Sequence, residues 1–275
     1  MRWPSCSTGP SPFWKRRMQA LETLEIILPA TVAGLMIVLI HSGLGIEVLR
    51  RGIIFIDLAI AQIAGLCVVL TALWLHEPSW SQTQLAAGIA ALSAAVFFRW
   101  VENILPHEQE AIIGSCFVLA ASAVLLALAN HPQGGEEIQH ILSGQILFIS
   151  WSEILGFLPL YAGAALLWFG VPRVRTGLGF FGLFALIATA SVQLVGVYVV
   201  FASLILPALA VNTMVRHRAV VATVVSMLSV IVGISLSALQ DLPAGPVLVM
   251  TFAAIAVIYR VSYGVYSGGL SRSKR

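Results

Sequence analysis

VYVVFASLILPALAV, residues Val197 to Val211, carries no charged side chain and has a proline, Pro207, inside it. It belongs to an uncharged run of 40 residues from Thr176 to Val215. As a single helix that run would extend about 60 Å at ~1.5 Å per residue, twice the ~30 Å thickness of a hydrocarbon core. It therefore has to turn back, and the turn is expected at or next to Gly196.

The rest of the chain has the same character. Of 275 residues 59% are hydrophobic and 10% are charged, against roughly 25% charged in an ordinary soluble domain. A chain of mean hydropathy +0.95 cannot hide its apolar surface in one water-soluble core, so it is read as an integral membrane protein. Lipid offers no partners for backbone polar groups, which leaves helices or a closed barrel. The apolar runs are long and continuous, without the alternation of barrel strands, so the fold class is all-α. Cys6, Cys67 and Cys116 are odd in number and scattered, and suggest neither a disulfide framework nor a zinc site.

Spans are expected near 24–44, 53–75, 85–101, 111–130 and 153–170, then two from the long run, then 219–239 and 246–262, about nine in all. Basic residues collect in cytoplasmic loops. With Arg50 and Arg51 inside, alternation places Arg99, Arg173, Arg175, Arg216, Arg218, Arg260, Arg272, Lys274 and Arg275 inside as well. The intervening loops, 76–84, 131–152 and 240–245, hold no Lys or Arg but do hold Glu77, Glu136, Glu137 and Asp241. The C-terminus is thus expected in the cytoplasm. Residues 1–21 read as a Pro- and Ser-containing leader, either peripheral or untranslated with a start at Met18; 22–262 as the transmembrane domain; 263–275 as a cytoplasmic basic tail.

Polar groups inside a bilayer are costly and mark either a pathway or a helix contact. Asp57 and Gln62 lie in IIFIDLAIAQIAGL, five positions and about 140° apart, so they cannot share a narrow helix face. Gln193 reads as a second buried amide, for which hydrogen bonding between helices is the alternative to a path role. His41 reads as an interfacial residue at the end of the first helix. His76, His131 and His140 are weak metal candidates in outer loops, because no HxxxH or HExxH spacing joins them. Pro207 removes a backbone donor and should leave the carbonyl of Ser203 free, which requires protein or water beside that part of the helix.

GLGIEVLRRGIIFIDLAIAQIAGL, EAIIGSCFVLAASAVLLAL, HILSGQILFISWSE, VGVYVVFASLILPALAV and DLPAGPVLVMTFAAIAVIY occur in this order. Together they resemble the permease subunits of ABC-type metal importers, the family for zinc, manganese and iron, from about Leu24 to Val261. The resemblance implies a type II importer permease of the bacterial cytoplasmic (inner) membrane that pairs as a homodimer around a central path. It would receive metal from an extracytoplasmic binding protein and be driven by a separate cytoplasmic ATPase holding ATP and Mg, with no cofactor on this chain. Asp57, Gln62, Gln193, Ser203 and Pro207 are then the path candidates, and Arg173, Arg175, Thr176 and Gly177 the ATPase-coupling candidates. Two departures stand out. Gln62 occupies the place of a common second-helix His in a GDALSHA-like stretch, whose Asp falls on Leu58. The stretch before the sixth helix, usually longer and acidic, is reduced to VPRVRTGLG.

No GxxxxGK[ST] loop occurs, so ATP must be bound by a partner. The competing reading is an ion-coupled secondary transporter of a small cation using Asp57, but the two related halves expected of one are missing from the sequence. An intramembrane enzyme would need a GxSxG or HExxH element, and neither occurs.

Overall fold

The protein is described here from a computed structural model that covers residues 12–75, 78–128, 146–214, 216–240 and 242–272. Among these residues there are nine α-helices and no strand. They are α1 (Pro12–Arg51), α2 (Ile56–Leu75), α3 (Trp80–Ile104), α4 (Gln109–Leu128), α5 (Trp151–Gly170), α6 (Gly177–Val195), α7 (Val197–Ala210), α8 (Arg218–Gln240) and α9 (Ala244–Arg272). Single 3-10 turns cover Ile146–Phe148 and Pro172–Arg175.

The chargeless run turns at Gly196, whose φ of 81° lies in the left-handed region that glycine alone adopts without strain. Its N–H closes α6 on the Val192 carbonyl at 2.8 Å. Eight helices are long and apolar enough to cross a bilayer, whereas α7, with 14 residues, is not. At ~1.5 Å per residue α7 measures about 21 Å, less than the ~30 Å core, so nine full crossings become eight with one short helix. Gln193 hydrogen-bonds Gln84 near the start of α3, so the corner lies at the end of the bundle where α3 begins, and α7 stops short at its other end, at Ala210, three residues after Pro207.

The corner also changes neighbours. α6 packs on α3 and α2, while α7 packs on α1 and α9. α1 contacts α5, α7 and α8, and α4 closes on α2. α6 and α1 are the most enclosed, with 72% and 56% of their spanning windows buried, whereas the outer helices keep 24–39%. Apolar side chains cover the outside instead, Leu85, Leu166 and Val257 among them, as lipid contact demands.

Small residues set the closest approaches. A Cβ on Gly45 would lie 2.0 Å from the Leu204 carbonyl oxygen, and one on Gly43 would lie 2.5 Å from Trp168 Nε1. α1 therefore touches α7 backbone to backbone, a contact open only to glycine.

The two ends of the bundle differ chemically. α3 and α5 begin with capping boxes, Ser79 with Gln82 and Ser150 with Glu153, which satisfy the first free N–H groups. At the opposite end the Arg51 guanidinium joins three elements. It donates to Glu47 at 2.8 Å, to Glu102 of α3 at 2.9 Å and to the Arg175 carbonyl at 3.1 Å, and it lies 4.3 Å over the Phe180 ring. Arg50 and Arg99 add bonds to Glu47 and Glu102. Arg51 and Glu47 are only 14% and 12% exposed, so this network is shielded from the screening that makes surface pairs weak.

Gly45→Ala should push α7 off α1 and cost about 1–3 kcal/mol, the usual penalty for overpacking. A lowered melting temperature of the detergent-purified protein would register it. Gly65→Ala is the control, because its Cβ would meet nothing within 4 Å, and its melting temperature should hold or rise, since Ala favours a helix interior over Gly.

Candidate translocation site

α2, α4, α7 and α9 enclose a groove of about 870 Å³. Leu58, Gln62 and Gly65, at the i, i+4 and i+7 positions of one α2 face, form one wall; Val197, Phe201 and Leu206 of α7 form another. The Gln62 amide and the Tyr198 hydroxyl are the polar side-chain groups among its lining residues, so hydrocarbon dominates. Phe55 stacks on Phe201 with centroids 6.4 Å apart, beside the start of α2.

Asp57 does not line the groove. It is 2% exposed in the first turn of α2, and neither carboxylate oxygen has a hydrogen-bond partner of ordinary geometry. The N–H groups of Asp57 and Leu58 lie near it. Glu110 accepts the Phe55 N–H at 3.2 Å through one oxygen and leaves the other unpaired, and the Gln109 side-chain nitrogen is unpaired too. Buried polar atoms are almost always paired. Three side chains with unpaired atoms thus stand at the basic end of α2 and α4. Asp57 was visible in the sequence as a charge inside a span. Glu110 was less so, because it stands at the edge of its own span and reads as a boundary residue.

The other candidates separate. Ser203 and Pro207 are buried on the α1 side of α7, with protein and not water around them. Gln193, expected to be a buried amide, is exposed, because it lies one turn from the corner, and it pairs with Gln84. Of the coupling candidates, Arg173 and Thr176 are exposed at the basic end. Arg175 is turned inward: it donates to the Trp168 carbonyl at 2.9 Å and lies over the Trp168 ring. Gly177 opens α6 with φ 56°. His76, His131 and His140 lie outside the described residues.

His41 is not interfacial. The apolar span of α1 runs on to Arg51, ten residues or about 15 Å further, so His41 lies deep in the bundle, 0% exposed. Its ring nitrogens are 2.7 Å from Ser203 Oγ and 2.9 Å from Ser191 Oγ. Among the described residues no three His, Cys, Asp or Glu side chains converge as a metal site.

The family model described as the ABC 3 transport family matches residues 23–168 and 168–262. The chain belongs to that family. ABC 3 membership makes it the multi-pass membrane permease of an ABC transporter and not itself an enzyme; ATPase and substrate-binding subunits are its partners. The high-affinity zinc uptake system membrane protein ZnuB of Haemophilus influenzae is 24% identical over 260 residues, covering 85% of this chain and 96% of that protein. PsaBC from Streptococcus pneumoniae, solved in complex with a Fab, superposes with a TM-score of 0.71 over 90% of this chain and 95% of that one at 16% identity. That likeness establishes the fold. The two matched segments meet at Trp168, just before the 3-10 turn at Pro172–Arg175.

Asp57→Asn removes a buried carboxylate whose oxygens lack a hydrogen-bond partner of ordinary geometry, so it should raise the melting temperature, relieving about 1–3 kcal/mol. A fall in thermal stability would show that the carboxylate has a stabilising partner.

Proposed function

We propose that the chain is the permease of an importer that moves a divalent metal ion, of the zinc, manganese or iron class, into the cytoplasm. The observation that carries this reading is the similarity, over 85% of the chain, to a membrane protein of a zinc uptake system. Metal arrives on an extracytoplasmic binding protein, and ATP with Mg is bound and hydrolysed on the partner ATPase. The permease works as a homodimer in the bacterial cytoplasmic membrane, with its C-terminus inside. Two copies face each other across the groove of α2, α4, α7 and α9, so that each contributes a Gln62 to the path. Asp57 is the carboxylate nearest to the path along α2, and Ser203 and Pro207 shape the helix beside it; Gln193 lies at the corner above. Gln is a poorer ligand than His for zinc, which favours passage over tight holding at this position.

Coupling falls to the short 3-10 turn. Arg173 points outward and is free to meet the ATPase, with Thr176 and Gly177 shaping the turn, while Arg175 fastens the turn to α5.

The test is reconstitution with the ATPase and binding protein. Binding protein loaded with one of zinc, manganese or ferrous iron should stimulate ATP hydrolysis severalfold; absence of stimulation by every divalent ion overturns the reading. In the same assay Arg173→Glu should abolish stimulation while the permease still inserts. Arg175→Glu should instead reduce the yield of folded protein, since it unpairs the Trp168 carbonyl.

Orientation has its own test. With Cys6, Cys67 and Cys116 changed to Ser, a cysteine at Gln82 should react with an impermeant thiol reagent from outside, and one at Thr176 should not. Both positions are exposed, so the opposite pattern would reverse the topology.

A further inference from the structure

Four side chains from four helices form one hydrogen-bonded chain in the centre of the bundle. Tyr161 of α5 is 2.5 Å from Ser191 of α6, Ser191 is 2.9 Å from His41 Nε2, and His41 Nδ1 is 2.7 Å from Ser203 of α7. Ser203 in turn donates to the Val200 carbonyl at 2.9 Å. All four are at most 2% exposed.

The bonds have a direction. Ser203 spends its one hydrogen on Val200, so it must accept from Nδ1–H of His41. The ring then accepts at Nε2 from Ser191, which accepts from the Tyr161 hydroxyl. Each group is used once and none is left over. Breaking the chain at His41 would leave a buried hydroxyl unpaired in a medium without water.

The chain grips α7 where that helix is weakest. Pro207 has no N–H for the Ser203 carbonyl, so α7 lacks an internal bond at the residue His41 holds. One helical turn beyond His41 on the same face, Gly45 brings α1 against the Leu204 carbonyl. The other side of α7, with Val197, Phe201 and Leu206, lines the groove.

We infer that His41 is a positioning residue that fastens α7 to α1, α5 and α6, so that α7 moves with α1 as one body and the path opens only on its groove side. The fastening stands on the geometry alone; its service to transport rests on the importer reading above.

Hydrogen exchange of the purified full chain tests the fastening without transport. An Asn at position 41 carries its amide close to where Nδ1 lies and can still donate to Ser203, whereas a Gln reaches toward Ser191 instead. Amides of residues 197–210 should exchange about tenfold faster in His41→Gln and His41→Ala, and at near the parent rate in His41→Asn, the difference expected for one buried hydrogen bond. Ser191→Ala, which cuts the link to α5 and α6 but leaves the Ser203 bond in place, should give a rate between the parent and His41→Ala. Equal exchange in the Asn and Gln variants overturns the inference, and if the Ala variant does not fold that pair decides. In the reconstituted complex, metal moved per ATP should fall in the Gln variant and recover in the Asn variant. Lost protection with unchanged metal per ATP overturns the positioning role. A parent complex that moves no metal counts against the importer reading, and the exchange result then still decides the fastening.

Discussion

The left-handed backbone at Gly196 is the constraint on which the remaining architecture depends. Without it the 40-residue chargeless run would be one rod too long for any bilayer. With it, α6 is committed to the side of the bundle built by α2 and α3, and α7 is delivered to the side built by α1 and α9. The contact of α7 with Gly45, its bond to His41 and its wall of the groove all follow from that handover. A side chain at this position would carry a Cβ into a conformation L residues rarely adopt.

A second organising element is electrostatic and sits at the other end of the molecule. Arg51 ties the end of α1 to α3 through Glu102 and to the 3-10 turn through the Arg175 carbonyl. Its planar, multiply donating head matches this set of acceptors and stacks on Phe180 at the same time, which an ammonium would not do. The turn at Pro172–Arg175 is therefore held from both sides, by Arg51 from α1 and by the Trp168 carbonyl from α5. A short connection that is rigidly held transmits displacement better than a long one that is free.

Most of the architecture was legible because hydrophobic length is a strong signal in lipid. The expected spans at 53–75, 153–170 and 219–239 differ by at most three residues from α2, α5 and α8, and the turn expected from length at or next to Gly196 falls at Gly196. The docking of the corner on α3 was not legible, since it pairs Gln193 with Gln84, residues more than a hundred positions apart. The same limit applies to the site. Asp57 and Gln62 stood out as polar residues in apolar surroundings. His41 was expected at an end because the first span was drawn only to residue 44, near Glu47, whereas α1 runs on to Arg51. Ser191, Ser203 and Tyr161 gave no signal of belonging together, because isolated hydroxyls are common in membrane helices and only the fold brings these to one histidine.

The groove has a lining of hydrocarbon with one amide and one phenol from this copy. Such a wall provides few electron pairs to replace the water around a doubly charged ion, and the Born cost of stripping that water in a medium of low dielectric is large. A cation in the proposed path therefore finds no deep well in which to rest and keeps much of its hydration on the way through. On the proposed path such a wall would make the permease a conduit with low residence time and leave the choice of metal to the protein that delivers it.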